Sequence, residues 1–218
     1  MPCNWQTDGA FHCNLGSATG EEIAALKLYI ALCLKANFSP RSSLPSTGCV
    51  QRSISQLCEL VGLSRPIAIK GLRKLQQWGL LETKGGRPTI YHVTDYETAK
   101  YWTKLPRSHL YGGLKETRID RLLVMPNRGK TTLHALQMYL YLASIRNRTT
   151  SLAKVTYDRL ADVLAISRNE VSAAISALVG FELISVRLAE ADEFYGERPS
   201  NVYWLRGTQV RAEFANSP

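Results

Sequence analysis

Between Ser64 and Leu75 a helical register sets Arg65, Pro66, Ile69, Lys70, Arg73 and Lys74 on one side and Ala68, Leu72 and Leu75 on the other. The first side holds four cations and no acid. Such a face suits a polyanion. A guanidinium fork matches the two acceptors of guanine, whereas an ammonium serves as a point charge on phosphate. The plain alternative is a solvated basic face. Downstream, Lys84-Gly85-Gly86-Arg87-Pro88 joins two β-like runs. Its glycines permit close backbone approach, and Arg87 at the tip suits a narrow, electronegative groove. A tight turn carrying a solvated arginine would read the same way.

Catalytic chemistry finds no carrier. Gly129-Lys130-Thr131 follows an apolar run as the end of a phosphate loop would, but the leading glycine of that motif falls on Val124. His12, His92, His109 and His134 form no two-histidine zinc motif, and no carboxylate pair or Ser-His set stands at a suggestive spacing. Cys3, Cys13, Cys33, Cys49 and Cys58 contain no Cys-x-x-Cys. Only His12-Cys13, with Cys3 upstream, hints at a metal, and reduced thiols are the simpler reading. Cys33 and Cys58 fall on apolar helix faces and read as core. The expectation is a protein that is no enzyme and holds no cofactor and no metal.

The 218 residues are 45% hydrophobic and 21% charged, enough for one large unit or two small ones with ordinary cores. Lysine and arginine total 27 against 18 acids, a net charge of +9. That excess favours a polyanionic partner, because each neutralised phosphate releases a counterion. The most apolar stretch, Ile23 to Leu34, contains Lys27 and is too short for a bilayer, so no membrane is expected. Residues 1–5 lack the basic start and apolar run of a secretory leader, which places the protein in the cytoplasm where it is made. Two matches to a glycosylation pattern, at Asn37 and Asn147, therefore carry no meaning.

An internal repeat supplies the elements that position the basic residues. Leu26 to Ile30 resembles Leu136 to Leu140, and Ser53 to Arg65 aligns with Thr156 to Arg168. The match continues without a gap, Leu72, Leu75, Trp78, Leu80 and Leu81 meeting Ile175, Leu178, Phe181, Leu183 and Ile184. The chain is a duplication. Residues 1–94 and 129–218 form the two units, and 95–128 a basic connector. Each unit predicts a long helix (Thr19 to Asn37; Gly129 to Asn147) and a short helix capped by Ser53 or Thr156. A turn with a buried apolar residue (Leu63; Ile166) leads to a third helix from Ser64 or Ser167, with Pro66 tolerated in its first turn. A hairpin closes each unit, Leu80 to Lys84 with Thr89 to Thr94 and Leu183 to Leu188 with Asn201 to Arg206. The class is mainly α with small β-hairpins. A further short helix is expected over Tyr96 to Leu105.

The run from Ile54-Ser55-Gln56-Leu57 through Gly62-Leu63-Ser64-Arg65 to Leu72-Arg73-Lys74-Leu75, closed by Trp78-Gly79-Leu80-Leu81, resembles bacterial winged helix-turn-helix domains. The resemblance covers most of both copies and implies tandem winged helices, an arrangement also similar to plasmid replication initiators. It implies a third helix entering the major groove of double-stranded DNA, with Arg65, Ile69, Lys70, Arg73 and Lys74 facing bases and phosphates. Lys84 and Arg87 belong to the wing. In copy two the corresponding candidates are Arg168, Asn169, Ser172 and, on a longer wing with four acids, Arg198. Residues 1–109 carry 13 basic and 7 acidic side chains, against 14 and 11 in residues 110–218. Copy one should therefore supply most of the phosphate contact. Copy two either reads DNA through Asn169 and Ser172 or docks protein: a second copy of the chain or a larger assembly. Arg146, Arg148 and Lys154, and in the connector Arg107, Lys115, Arg118, Arg121 and Arg128, are open to backbone contact or to plain solvation. The function classes that remain are replication initiation or transcription regulation, a DNA-recognition subunit of a transposition or RNA-guided complex, and a winged-helix scaffold for proteins.

Overall fold

The computed structural model describes residues 1–3, 19–40, 44, 46–99, 102–113, 116–187 and 200–208. Its first half runs α1 (Thr19–Lys35), β1 (Cys49–Gln51), α2 (Ile54–Val61), α3 (Arg65–Gln77), β2 (Leu81–Lys84) and β3 (Ile90–Val93). Two short helices follow, α4 (Arg107–Tyr111) and α5 (Asp120–Leu123). The second half repeats the order: α6 (Lys130–Ile145), β4 (Leu152–Val155), α7 (Tyr157–Leu164), α8 (Arg168–Gly180), β5 (Ile184–Arg187) and β6 (Asn201–Leu205). The described residues thus form an α+β protein of eight helices and two antiparallel three-stranded sheets, ordered β1-β3-β2 and β4-β6-β5.

The sheets correct the hairpin expectation by one strand each. β1 and β4 add to the outer side of the returning strand, with Val50 opposite Tyr91 and Ala153 opposite Tyr203. Neither β1 nor β4 is joined to its partner by a tight turn, the signal that marks the hairpin strands, which hides such strands in a sequence. Both long helices also end two residues early, because the asparagine after each takes another job. Asn37 exchanges backbone bonds with the strand, its N–H donating to Cys49 O (3.1 Å), while its Oδ1 accepts from Cys49 N (2.7 Å) and its Nδ2 donates to Ser39 and Ser46 carbonyls. Asn147 donates to Leu152 O (2.8 Å) and accepts from the Thr149 and Thr150 amides. These are the two asparagines of the glycosylation-like triplets, and both organise the loop into the first strand.

Helices α1 and α6 are buried on nearly every face and pack against each other, so their apolar residues draw both halves into one core. No gap in packing marks the expected boundaries at 94 and 129; Leu110, Tyr111, Ile119, Leu122 and Met125 of the connector belong to the same cluster. The helix expected over Tyr96 to Leu105 is absent from its described residues. A turn spans Thr94 to Thr98, and further on Trp102 pairs with Pro2 and Thr103 O accepts from the Met1 amine. Of the two cysteines read as core, Cys33 is buried and Cys58 is half-buried. Among the described residues no single helix is long and apolar enough to cross a membrane.

The duplication is exact enough to repeat backbone strain. Left-handed residues recur at matching places, Gly48 with Ser151, Gly62 with Ala165 and Gly79 with Glu182. Copy one uses glycine at each, and copy two does not. Ala165 (φ 52°) should therefore cost roughly 1 kcal/mol relative to glycine. Ala165→Gly is expected to raise stability by about that amount. Gly62→Ala should lower it by at least as much, since the new methyl would also lie 2.6 Å from Leu123 Cδ2. Urea melts of both variants check the pair.

Burial also gives a pH dependence. His134 on α6 is 1% exposed, its Nε2 lacks a hydrogen-bond partner among the described residues, and desolvation lowers its pKa from the usual 6.5. Below pH 6.5 the unfolded chain therefore binds a proton that the folded state resists, and stability falls as the solution is acidified. His134→Gln should flatten the melting temperature between pH 7.5 and 5.5; an unchanged slope would contradict the assignment.

Candidate nucleic-acid interface

Helix α3 owes its place to its turn and to one glycine. Ser53 and Gln56 close a reciprocal capping box on α2 (3.2 and 2.9 Å), fixing where that helix begins. Gly62 ends it in the left-handed conformation, and Leu63 is buried beneath the turn. From there α3 crosses α1 at very short range. A methyl at Gly71 would sit 2.9 Å from the carbonyl carbon of Ala24 and the amide nitrogen of Ala25. Ala68, Leu72 and Leu75 complete the buried stripe, as their spacing implied. Gly71 itself was not among the inward residues read from sequence, because a missing side chain leaves no hydrophobic signal.

The opposite side of α3 is polar and open. Arg65, Pro66, Lys70, Arg73, Gln76 and Gln77 are exposed, and Lys74 and Ile69 are half-buried, Ile69 lying outside the core cluster. The four cations divide into two pairs. Lys70 Nζ meets Glu21 Oε1 of α1 at 2.9 Å, and Lys74 lies close enough to the buried Glu22 to favour its charge, although desolvation dominates and raises that carboxyl's pKa. Arg65 and Arg73 carry no ion pair among the described residues. The hairpin joins the same surface. Gln76 Nε2 donates to Thr83 Oγ1 (3.1 Å), linking the end of α3 to β2, and Lys84, Gly85, Gly86 and Arg87 at the tip are exposed. The acid of this hairpin, Glu82, faces His92 Nδ1 at 3.6 Å.

Copy two keeps the scaffold and loses the charge. Ser167 and Glu170 cap α8 reciprocally, which spends Glu170 on the helix end instead of on the outward face. That hydrogen bonding holds the Glu170 carboxyl below its usual range. Arg168 is tied to Asp158 of α7, Nε donating to Oδ1 at 2.6 Å. Asn169 and Ser172 are exposed, followed by the neutral Ala173 and Ser176 and by Val179. Arg198 and the tip of this hairpin lie outside the described residues.

Three of the connector's arginines have internal partners. Arg107 Nε donates to Glu116 Oε1 (2.6 Å), Arg118 meets Glu59 of α2 (3.4 Å), and Arg121 meets Glu182 of copy two (2.5 Å). Arg107 thus pairs within the connector, while Arg118 ties it to copy one and Arg121 ties it to copy two. Arg128 is exposed, and Lys115 lies outside the described residues. The buried Lys27 ammonium donates to Met125 O and Asn127 Oδ1 (both 2.7 Å), and Asn127 Nδ2 donates on to Gly62 O at the turn before α3 (2.9 Å). Desolvation lowers the Lys27 pKa to about 8. No group of three or more His, Cys, Asp or Glu residues stands together as metal ligands would among the described residues; His12 and Cys13 lie outside them.

Because α3 rests on α1 backbone, Gly71→Ala should lift it and cost about 1–3 kcal/mol, read in a thermal melt; a neutral outcome would mean that the crossing yields easily. Comparison with protein-family models finds no match, and comparison with curated proteins finds none either.

Proposed function

We propose that this chain is a tandem winged helix-turn-helix protein that binds double-stranded DNA through its first copy, with α3 in the major groove and the Lys84–Arg87 tip as its wing. The observation that carries the reading is the joint surface of α3 and the hairpin tip. Arg65, Arg73, Lys84 and Arg87 are exposed there without an ion pair among the described residues, on a helix whose other side rests on α1. Unpaired guanidinium and ammonium groups on one rigid face suit phosphate and base-edge contact. The repeated order of helix, strand, two helices and two strands supports the winged-helix assignment in both halves. The chain acts as a binder, not a catalyst, in starting replication or regulating transcription.

For copy two a specific feature favours a different role. Its α8 presents Asn169, Ser172, Ala173, Ser176 and Val179, while Arg168 is occupied by Asp158. A neutral face of small side chains fits a protein better than a phosphate backbone. This copy would dock the chain onto a second copy of itself or into a larger nucleoprotein complex.

The ion pairs on α3 rank its residues. Arg73→Ala should weaken binding to every duplex and reduce the salt slope by about one. Lys70→Ala should do less, since Glu21 already holds that ammonium. Glu21→Gln should tighten binding by freeing it. Arg65→Ala should relax base preference at one position, at roughly 1–3 kcal/mol for a bidentate contact. Salt-dependent titrations and selection from random duplexes test these outcomes. An unchanged slope in Arg73→Ala, or no duplex binding at low salt, would overturn the reading.

A further inference from the structure

Away from α3, a cavity of about 460 Å³ opens between the extended segment at Trp102–Lys104 and the end of α6, lined by Ser144, Arg146, Arg148 and Ser151. Its volume lies within the roughly 300–1,000 Å³ of small-molecule sites. Among the described residues three cations line it and no acid does. Helix α6 would oppose an anion here, because its carbonyl end points this way. Two of those carbonyls are already answered from the cavity wall, Thr103 Oγ1 donating to Ala143 O (2.6 Å) and Ser144 Oγ to Tyr141 O. The cations are left to the cavity. Arg146 donates through Nη2 to Lys104 O, while its Nη1 is buried and has no hydrogen-bond partner among the described residues.

The duplication shows that the fold does not need these charges. Ala36 and Phe38 of copy one stand where copy two has Arg146 and Arg148, after helices that end in the same way. The cluster is an addition to the scaffold. Trp102 forms the remaining wall, half-buried and held edge-to-face against Tyr96 with ring centroids 4.6 Å apart, so a planar group can lie against it without reorganising the indole.

We propose that this cavity binds a nucleotide, its phosphate on Lys104, Arg146 and Arg148 and its base against Trp102. The proposal does not depend on duplex binding by α3. A nucleotide reaches the site either free or as one unit of a single strand, and the two sources separate by experiment. Calorimetric titration of the full chain with inorganic phosphate, AMP and a short oligothymidylate is expected to show binding of AMP or of the strand. Lys104→Ser combined with Arg148→Ser, both at exposed positions, should weaken it about tenfold or more. Trp102→Leu should weaken AMP or strand binding several-fold and leave inorganic phosphate unaffected. Binding of AMP identifies the free nucleotide, and binding of the strand alone identifies the polymer. Binding must also survive Arg73→Ala, which removes a cation from the other surface. Neither ligand binding, affinity unchanged in the double variant, loss with Arg73→Ala, or equal losses for phosphate and nucleotide in Trp102→Leu would overturn the proposal.

Discussion

The structure rests on one close approach, the crossing of α3 over α1 at Gly71. Backbone meets backbone there, with no room for a methyl group between Gly71 and the Ala24–Ala25 peptide. A contact this short leaves α3 little freedom to slide or roll, since either motion would drive Ala68 or Leu72 into the same helix. The outward side chains inherit that rigidity. Arg65 and Arg73 hold a defined spacing because the residues beneath them cannot move. In copy two Ala174 occupies the matching place, fully buried, and the same architecture holds with a slightly larger residue at the crossing.

The second organising feature is the joint between halves. α1 and α6 are too apolar to face water on any side, so each serves as the other's cover, and the halves cannot be separated without exposing both. A buried ammonium would ordinarily destabilise such a joint. Lys27 is tolerated because Met125 O and Asn127 Oδ1 accept from it, and the same asparagine fastens the Gly62 turn. One chain of hydrogen bonds thus runs from the shared core, through the connector, to the turn that aims α3. The connector therefore braces both halves, Arg118 pairing with Glu59 of copy one and Arg121 with Glu182 of copy two.

Duplication followed by divergence accounts for the unequal surfaces. The capping residues Ser53 and Thr156, the loop asparagines and the left-handed corners are all retained, because each satisfies backbone groups that any sequence on this scaffold must satisfy. Exposed positions carry no such obligation. Lysine and arginine accumulated on α3 in copy one and around Trp102, where Lys104 of the connector meets Arg146 and Arg148 of copy two, while α8 became neutral.

The amino-acid sequence by itself determined the repeat, the three main helices of each copy with the caps at Ser53, Thr156 and Ser167, the paired strands of each hairpin, and the basic side of α3. These are local matters: periodicity, a capping oxygen and a charge count act within a few residues, and they are written in order along the chain. Ser64, read as a cap, makes no side-chain cap bond, and the connector's helices lie elsewhere than expected. Only the tertiary structure decided the third strand of each sheet, the merging of two cores into one, the bracing role of the connector, and the loop role of Asn37 and Asn147. It also decided which cations are free, because Glu21 reaches Lys70 and Asp158 reaches Arg168 only once separate helices are packed together. The cavity at Trp102 belongs to the same group, since its walls come from segments about forty residues apart that meet through long-range packing.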